Sequence, residues 1–117
     1  GGRKKPDIRL HHPIAGRVIN EIKPVERNGR YTFSALIDAL ETQLVGQYLR
    51  AANSRHGILT IAMLSERRWN PRDGKGMIDF HGLLERLNER AREIVEANPE
   101  VEQLRVIGIN FSDIGAI

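Results

Sequence analysis

The chain has 117 residues, 40% hydrophobic and 28% charged, an ordinary composition for one globular domain that argues against disorder, collagen-like repeats and a membrane protein. It has no cysteine, so disulfides, thiolate nucleophiles and Cys-based zinc sites are excluded, and any metal must sit on carboxylates or imidazoles, which favours Mg²⁺ or Mn²⁺. Lys and Arg outnumber Asp and Glu by 18 to 15, and the resulting net charge of +3 permits a nucleic-acid partner without demanding one.

The opening Gly1-Gly2-Arg3-Lys4-Lys5 is basic but lacks the apolar body of a secretory signal, and no apolar run approaches the ~18 residues of a membrane span. The expectation is a single domain over 1–117, cytoplasmic and away from membranes. Asp7 to His12 and Arg17 to Val25 are short, partly alternating segments separated by the turn-forming Pro13-Ile14-Ala15-Gly16, which predicts a β-hairpin. After Asn28-Gly29, Thr32 or Ser34 can cap a helix whose apolar positions Phe33, Leu36, Ile37, Leu40, Leu44 and Tyr48 recur at three and four residues, ending near Ala52-Asn53.

Ile58 to Leu64 is a nearly continuous apolar run, the pattern of a central strand covered on both faces. Trp69 to Gly76 is rich in turn formers and reads as an exposed loop leaving that strand. Its Trp69 either stacks on a base or folds over the sheet edge. Basic residues Arg67, Arg68, Arg72 and Lys75 gather here, candidates for gripping a nucleic-acid backbone. A second amphipathic helix runs from about Ile78 to Ala97 and stops at Asn98-Pro99, and Leu104 to Phe111 reads as the last strand. The predicted order is β-β-α-β-α-β, an α/β fold with a mixed sheet flanked by helices.

In a hairpin turning at 13–16, a register in which paired residue numbers sum to about 28 or 30 sets Asp7 opposite or diagonal to Glu21. Opposed side chains lie ~5 Å apart at Cβ and diagonal ones ~7–8 Å, close enough for two carboxylates to share a metal ion. Lys23, two residues beyond Glu21, falls on the same face, which is expected to be exposed. Two acids and an ammonium suit phosphodiester hydrolysis, in which a hard cation polarises the phosphoryl oxygen and lowers the pKa of bound water. His11 lies ~13 Å along the strand from Asp7, too far to share that ion, and His12 points to the other face.

Pro6-Asp7, thirteen residues, then Glu21-Ile22-Lys23 resembles the signature of the PD-(D/E)XK nuclease superfamily in order, spacing and hairpin context. Gln43-Leu44-Val45-Gly46-Gln47-Tyr48-Leu49 resembles the Gln-and-Tyr helix element that some branches place after the Glu-x-Lys strand. The resemblance implies a restriction-endonuclease-like fold lacking its usual opening helix and first strand, as in a fragment or a minimal domain. It further implies Mg²⁺ or Mn²⁺ held at Asp7, Glu21 and Ile22, a water assisted by Lys23, and support from Gln43, Gln47 and Tyr48. The family commonly spaces Gln and Tyr four apart, whereas Tyr48 lies five beyond Gln43, so Gln47 or Tyr48 fills that place.

The expected function is a metal-dependent nuclease with nucleic acid, chiefly DNA, as partner; self-association is left open. The alternative is a catalytically inactive nuclease-like module that binds nucleic acid or a protein. A third reading, a structural α/β module with an accidental Glu-x-Lys, requires Asp7 and Glu21 to point to opposite faces of the hairpin.

Overall fold

The computed structural model describes the backbone of residues 8–12, 16–49, 56–99 and 101–112, and the side chains of 20–46, 56–99 and 101–112. Strands β1 (Ile8–His12) and β2 (Gly16–Val25) form the hairpin, followed by helix α1 (Phe33–Asp38) continuing into a π-helical segment (Ala39–Leu49). Strand β3 (His56–Met63), helix α2 (Phe80–Ala97) and strand β4 (Gln103–Asn110) complete the described elements. The sheet order is β1-β2-β3-β4, with β1 antiparallel to β2 and the remaining neighbours parallel. This is a small α/β domain with a mixed sheet.

Both crossovers step the same way, β2 to β3 to β4. Because such crossovers are right-handed almost without exception, both helical connections fall on one face of the sheet. One core results, in which Leu36, Leu40, Leu44 and Val45 meet Val25, Leu59, Ile61 and Met63 while Leu83, Leu87, Ala91 and Ile94 of α2 lie over Leu104 and Val106. The caps follow the sequence: the Thr32 hydroxyl accepts from the Ala35 amide at 3.2 Å, the Asp79 carboxylate accepts from the Gly82 amide at 2.9 Å, and α2 stops at Asn98.

Two expectations are corrected. The segment after α1 does not continue as a regular α-helix, because its ladder widens to i→i+5 from Ala39 to Leu49. That winding stacks residues five apart, so Ala39 with Leu44 and Leu40 with Val45 all reach the buried face, where an α-helix would swing one of each pair away. Among the described residues the second face of the β3 run carries no helical cover. Leu59, Ile61 and Met63 are buried under the helices, whereas on the other face Ile58 and Ala62 are only half-buried and Thr60 is buried, its hydroxyl donating to Asn20 Oδ1 at 2.8 Å. No helix among the described residues lies on that side, and Ile107, Ile109 and Phe111 of the same face remain exposed.

Strand β4 lies at the end of the strand order, but the middle of its outer edge is closed by a side chain. Asn88 of α2 donates to the Val106 carbonyl at 2.8 Å and accepts from the Val106 amide at 2.9 Å, pairing the backbone groups that face away from β3. Gly108 lets α2 approach β4 closely, since a Cβ there would fall 2.5 Å from Leu84 Cδ1 and 2.7 Å from Phe80 Cζ. Replacing Asn88 by Ala leaves both Val106 groups without their partner and is expected to cost about 1–3 kcal/mol in urea unfolding. A loss no larger than that of the exposed Glu89→Ala would show that water replaces the amide.

Candidate functional site

The pairs Ile8–Asn20, Arg9–Ile19 and Leu10–Val18 set the hairpin register, with residue numbers summing to 28. Asp7 precedes the first of these pairs and lies outside the described residues, as do the side chains of His11, His12, Gln47 and Tyr48. Glu21 and Lys23 point from β2 toward the helical layer, in register with Leu59 and Ile61 of β3. Glu21 is therefore not on an exposed face: it is 6% exposed, within the core layer, because both crossovers cover that side of the sheet.

The Lys23 ammonium lies 3.2 Å from Glu21 Oε1 and donates to Gln43 Oε1 at 2.9 Å. It also stands 5.5 Å from the centre of the Tyr31 ring, a cation–π contact. The sequence names Glu21, Lys23 and Gln43, and the structure brings them together. The sequence gives no sign of Tyr31, which lies in the loop before α1 with no periodic pattern to mark it. Glu21 Oε1 faces Lys23, but Glu21 Oε2 is buried and has no hydrogen-bond partner among the described residues. Such an orphaned carboxylate oxygen is expensive to bury unless it takes a proton donor or a cation. Ile22, between the two, is half-buried and points to the other face. Among the described residues no group of three or more His, Cys, Asp or Glu could hold a metal ion.

The basic residues after β3 divide. Arg67 donates to the carbonyls of Glu26 at 3.0 Å and Gly29 at 3.2 Å and stacks 5.3 Å from the Trp69 ring centre, stapling the loop after β2 to the one after β3. Its burial lowers the guanidinium pKa below the ordinary arginine value. Trp69 folds over the sheet, 2% exposed, with its indole donating to the Tyr31 carbonyl at 3.0 Å. Arg68, Arg72 and Lys75 are exposed, and mutual backbone bonds between Trp69 and Ile78 close the loop that holds the last two.

Within that loop, the Lys75 amide and the Arg86 guanidinium hold the Asp73 carboxyl below the ordinary carboxylate range. A group with a depressed folded pKa contributes its stabilisation above the unfolded value, about 3.9, and loses it as pH falls through the lower folded value. The loop tie is thus expected to persist at pH 4 and to release in stronger acid. Amide shifts of Lys75 followed by NMR through an acid titration would show it, and release already above pH 4 would contradict it.

Removing one partner of a buried ion pair leaves the other charge uncompensated, so Lys23→Met is expected to destabilise the protein by about 3 kcal/mol or more. The Glu21→Gln, Lys23→Met double variant should recover much of that loss in denaturant unfolding; strictly additive losses would mean that the two charges do not interact. The chain matches no family model, no curated protein and no solved structure, and this geometry is what a functional reading rests on.

Proposed function

We propose that the chain is a metal-dependent nuclease of the restriction-endonuclease-like PD-(D/E)XK kind, hydrolysing phosphodiester bonds of nucleic acid, chiefly DNA. The observation that bears most weight is Glu21 Oε2, a buried carboxylate oxygen with no partner among the described residues, beside an ammonium that is itself held in place. A carboxylate oxygen in that state suits a hard cation such as Mg²⁺ or Mn²⁺. Glu21 would hold the ion, with Asp7 and Ile22 as the further ligand positions. When bound, the ion would polarise a phosphoryl oxygen and acidify a water.

The hairpin register supports Asp7 in this role, because its pairing sum of 28 is one that joins positions 7 and 21. Lys23 supplies positive charge and a proton donor beside the reacting phosphate, and Gln43 fixes where that ammonium points. The i→i+5 winding from Ala39 to Leu49 brings positions four and five residues apart to nearly one face, which leaves positions 47 and 48 both as candidates to accompany Gln43. Arg68, Arg72 and Lys75 are the exposed cations proposed to meet the nucleic-acid backbone, while Arg67 keeps the loops they stand on together.

Asp7→Ala and Glu21→Gln are each expected to abolish Mg²⁺-dependent cleavage of DNA and to weaken Mn²⁺ binding in calorimetry by at least tenfold, with circular dichroism unchanged. Lys23→Ala should lower turnover far more than Mn²⁺ affinity, because it holds no metal. Cleavage that survives both acid substitutions would reject the assignment. Nucleic-acid binding without cleavage in the parent protein would favour the inactive binding module.

A further inference from the structure

A second concave place in the fold stands apart from Glu21, which is not among its lining residues. An open cleft of about 830 Å³ lies beyond the ends of the parallel strands, between Met63 and Asn110 of the sheet and the first turns of α2. The cleft thus lies outside the carboxyl ends of β3 and β4, bounded by the loops that leave β2 and β3 and by the start of α2. Phe80 and Leu84 from α2 lie against Gly108, whose missing side chain leaves them room, and Met63 adjoins them. Met77 lines the same cleft and is 54% exposed, an unbranched apolar side chain suited to lie on an aromatic ring.

The cleft is also charged in a particular way. Arg27 and Arg68 line it, and neither guanidinium has a hydrogen-bond or ion-pair partner among the described residues, in contrast to Arg67, Arg86 and Arg90. The backbone beneath Arg27 is fixed by its amide, which donates to the Ser65 hydroxyl at 2.8 Å. Glu66 and Asp79 lie in the same lining and supply acceptors. With Arg67, the guanidinium groups outnumber the two acids, so the lining favours an anion, while a purely apolar ligand would leave those groups unused. A ligand with a phosphate, hydroxyls or amines to donate, and a flat aromatic body matches the guanidinium, carboxylate and apolar groups of that lining.

We infer that this cleft binds a nucleoside monophosphate unit, with the phosphate on Arg27 and Arg68, the base against Phe80 and Met77, and sugar or base donors toward Glu66 and Asp79. The unit is a free nucleotide or the terminal nucleotide of a strand, which present the same chemistry. Its size is right, since small-molecule sites occupy roughly 300–1,000 Å³. The inference does not depend on the metal centre and goes beyond the proposed nuclease activity.

The test is calorimetric titration of the full chain, without divalent metal, with adenosine monophosphate, adenosine, inorganic phosphate and a 5′-phosphorylated tetranucleotide. Adenosine monophosphate is expected to bind at least tenfold more tightly than phosphate or adenosine alone. Arg27→Ala with Arg68→Ala should weaken it at least tenfold; both residues are exposed, and circular dichroism checks that the double variant folds. Glu21→Gln should bind as the parent does, which separates this site from the nuclease reading. A tetranucleotide that binds more tightly than the mononucleotide identifies a strand end as the ligand, and equal affinity identifies the free nucleotide. Absence of binding, affinity no better than that of phosphate alone, or binding indifferent to the two arginines would overturn the inference.

Discussion

A carboxylate and an ammonium share a nearly dry slot between the sheet and the π-helical segment. Taking both out of water costs several kcal/mol per ion, and the contact of 3.2 Å between Lys23 and Glu21 Oε1 offsets this only when the remaining valences are also met. For Lys23 they are, through Gln43 and the Tyr31 ring. For Glu21 one oxygen is left over among the described residues. A pair assembled only for stability would be better replaced by apolar side chains of similar size. The Glu21–Lys23 pair is thus satisfied on the ammonium side and leaves one carboxylate oxygen without a partner among the described residues.

The element closest to that slot is wound unusually. Eleven residues of π-helix are rare because the wider turn gives up packing along its axis. Here the widening places both Leu44 and Val45 in the core while Gln43 stays at the Lys23 ammonium. The same face of the segment thus does apolar and polar work at once. Arg90 of α2, whose Nε donates to Glu41 at 2.6 Å, ties the two helical elements together from outside, and Glu93 of the same helix accepts a second bond from its guanidinium. The guanidinium pKa is raised by those carboxylates.

A second set of constraints governs the far end of the sheet. Arg67 staples the β2 and β3 exit loops by hydrogen-bonding carbonyls, whereas its neighbour Arg68, which lines the same cleft, has no such partner among the described residues. Trp69 reinforces the staple by burying its ring and bonding to Tyr31, the residue whose ring also faces Lys23. The loop architecture and the Glu21 site are therefore mechanically linked through one residue.

Much of this was legible in the sequence. The hairpin, the capped helix start at Thr32, the apolar run of β3, the stripe of α2 and the last strand all follow from periodicity and turn chemistry, which are local. The conjunction of Glu21 and Lys23 followed from the two-residue pleat, and Gln43 was reached through the resemblance of its helix. Tertiary structure decided the rest, because no residue spacing encodes it. The direction of the two crossovers put both helical connections on one face, burying Glu21 instead of exposing it and leaving the Ile107–Phe111 face uncovered by any described helix. Long-range packing chose π over α winding, sent Trp69 inward, turned Arg67 into a staple and brought Arg27, remote in sequence, to the same cleft as Arg68. Local energies set which elements form; the energy of burying one shared apolar face set how they meet.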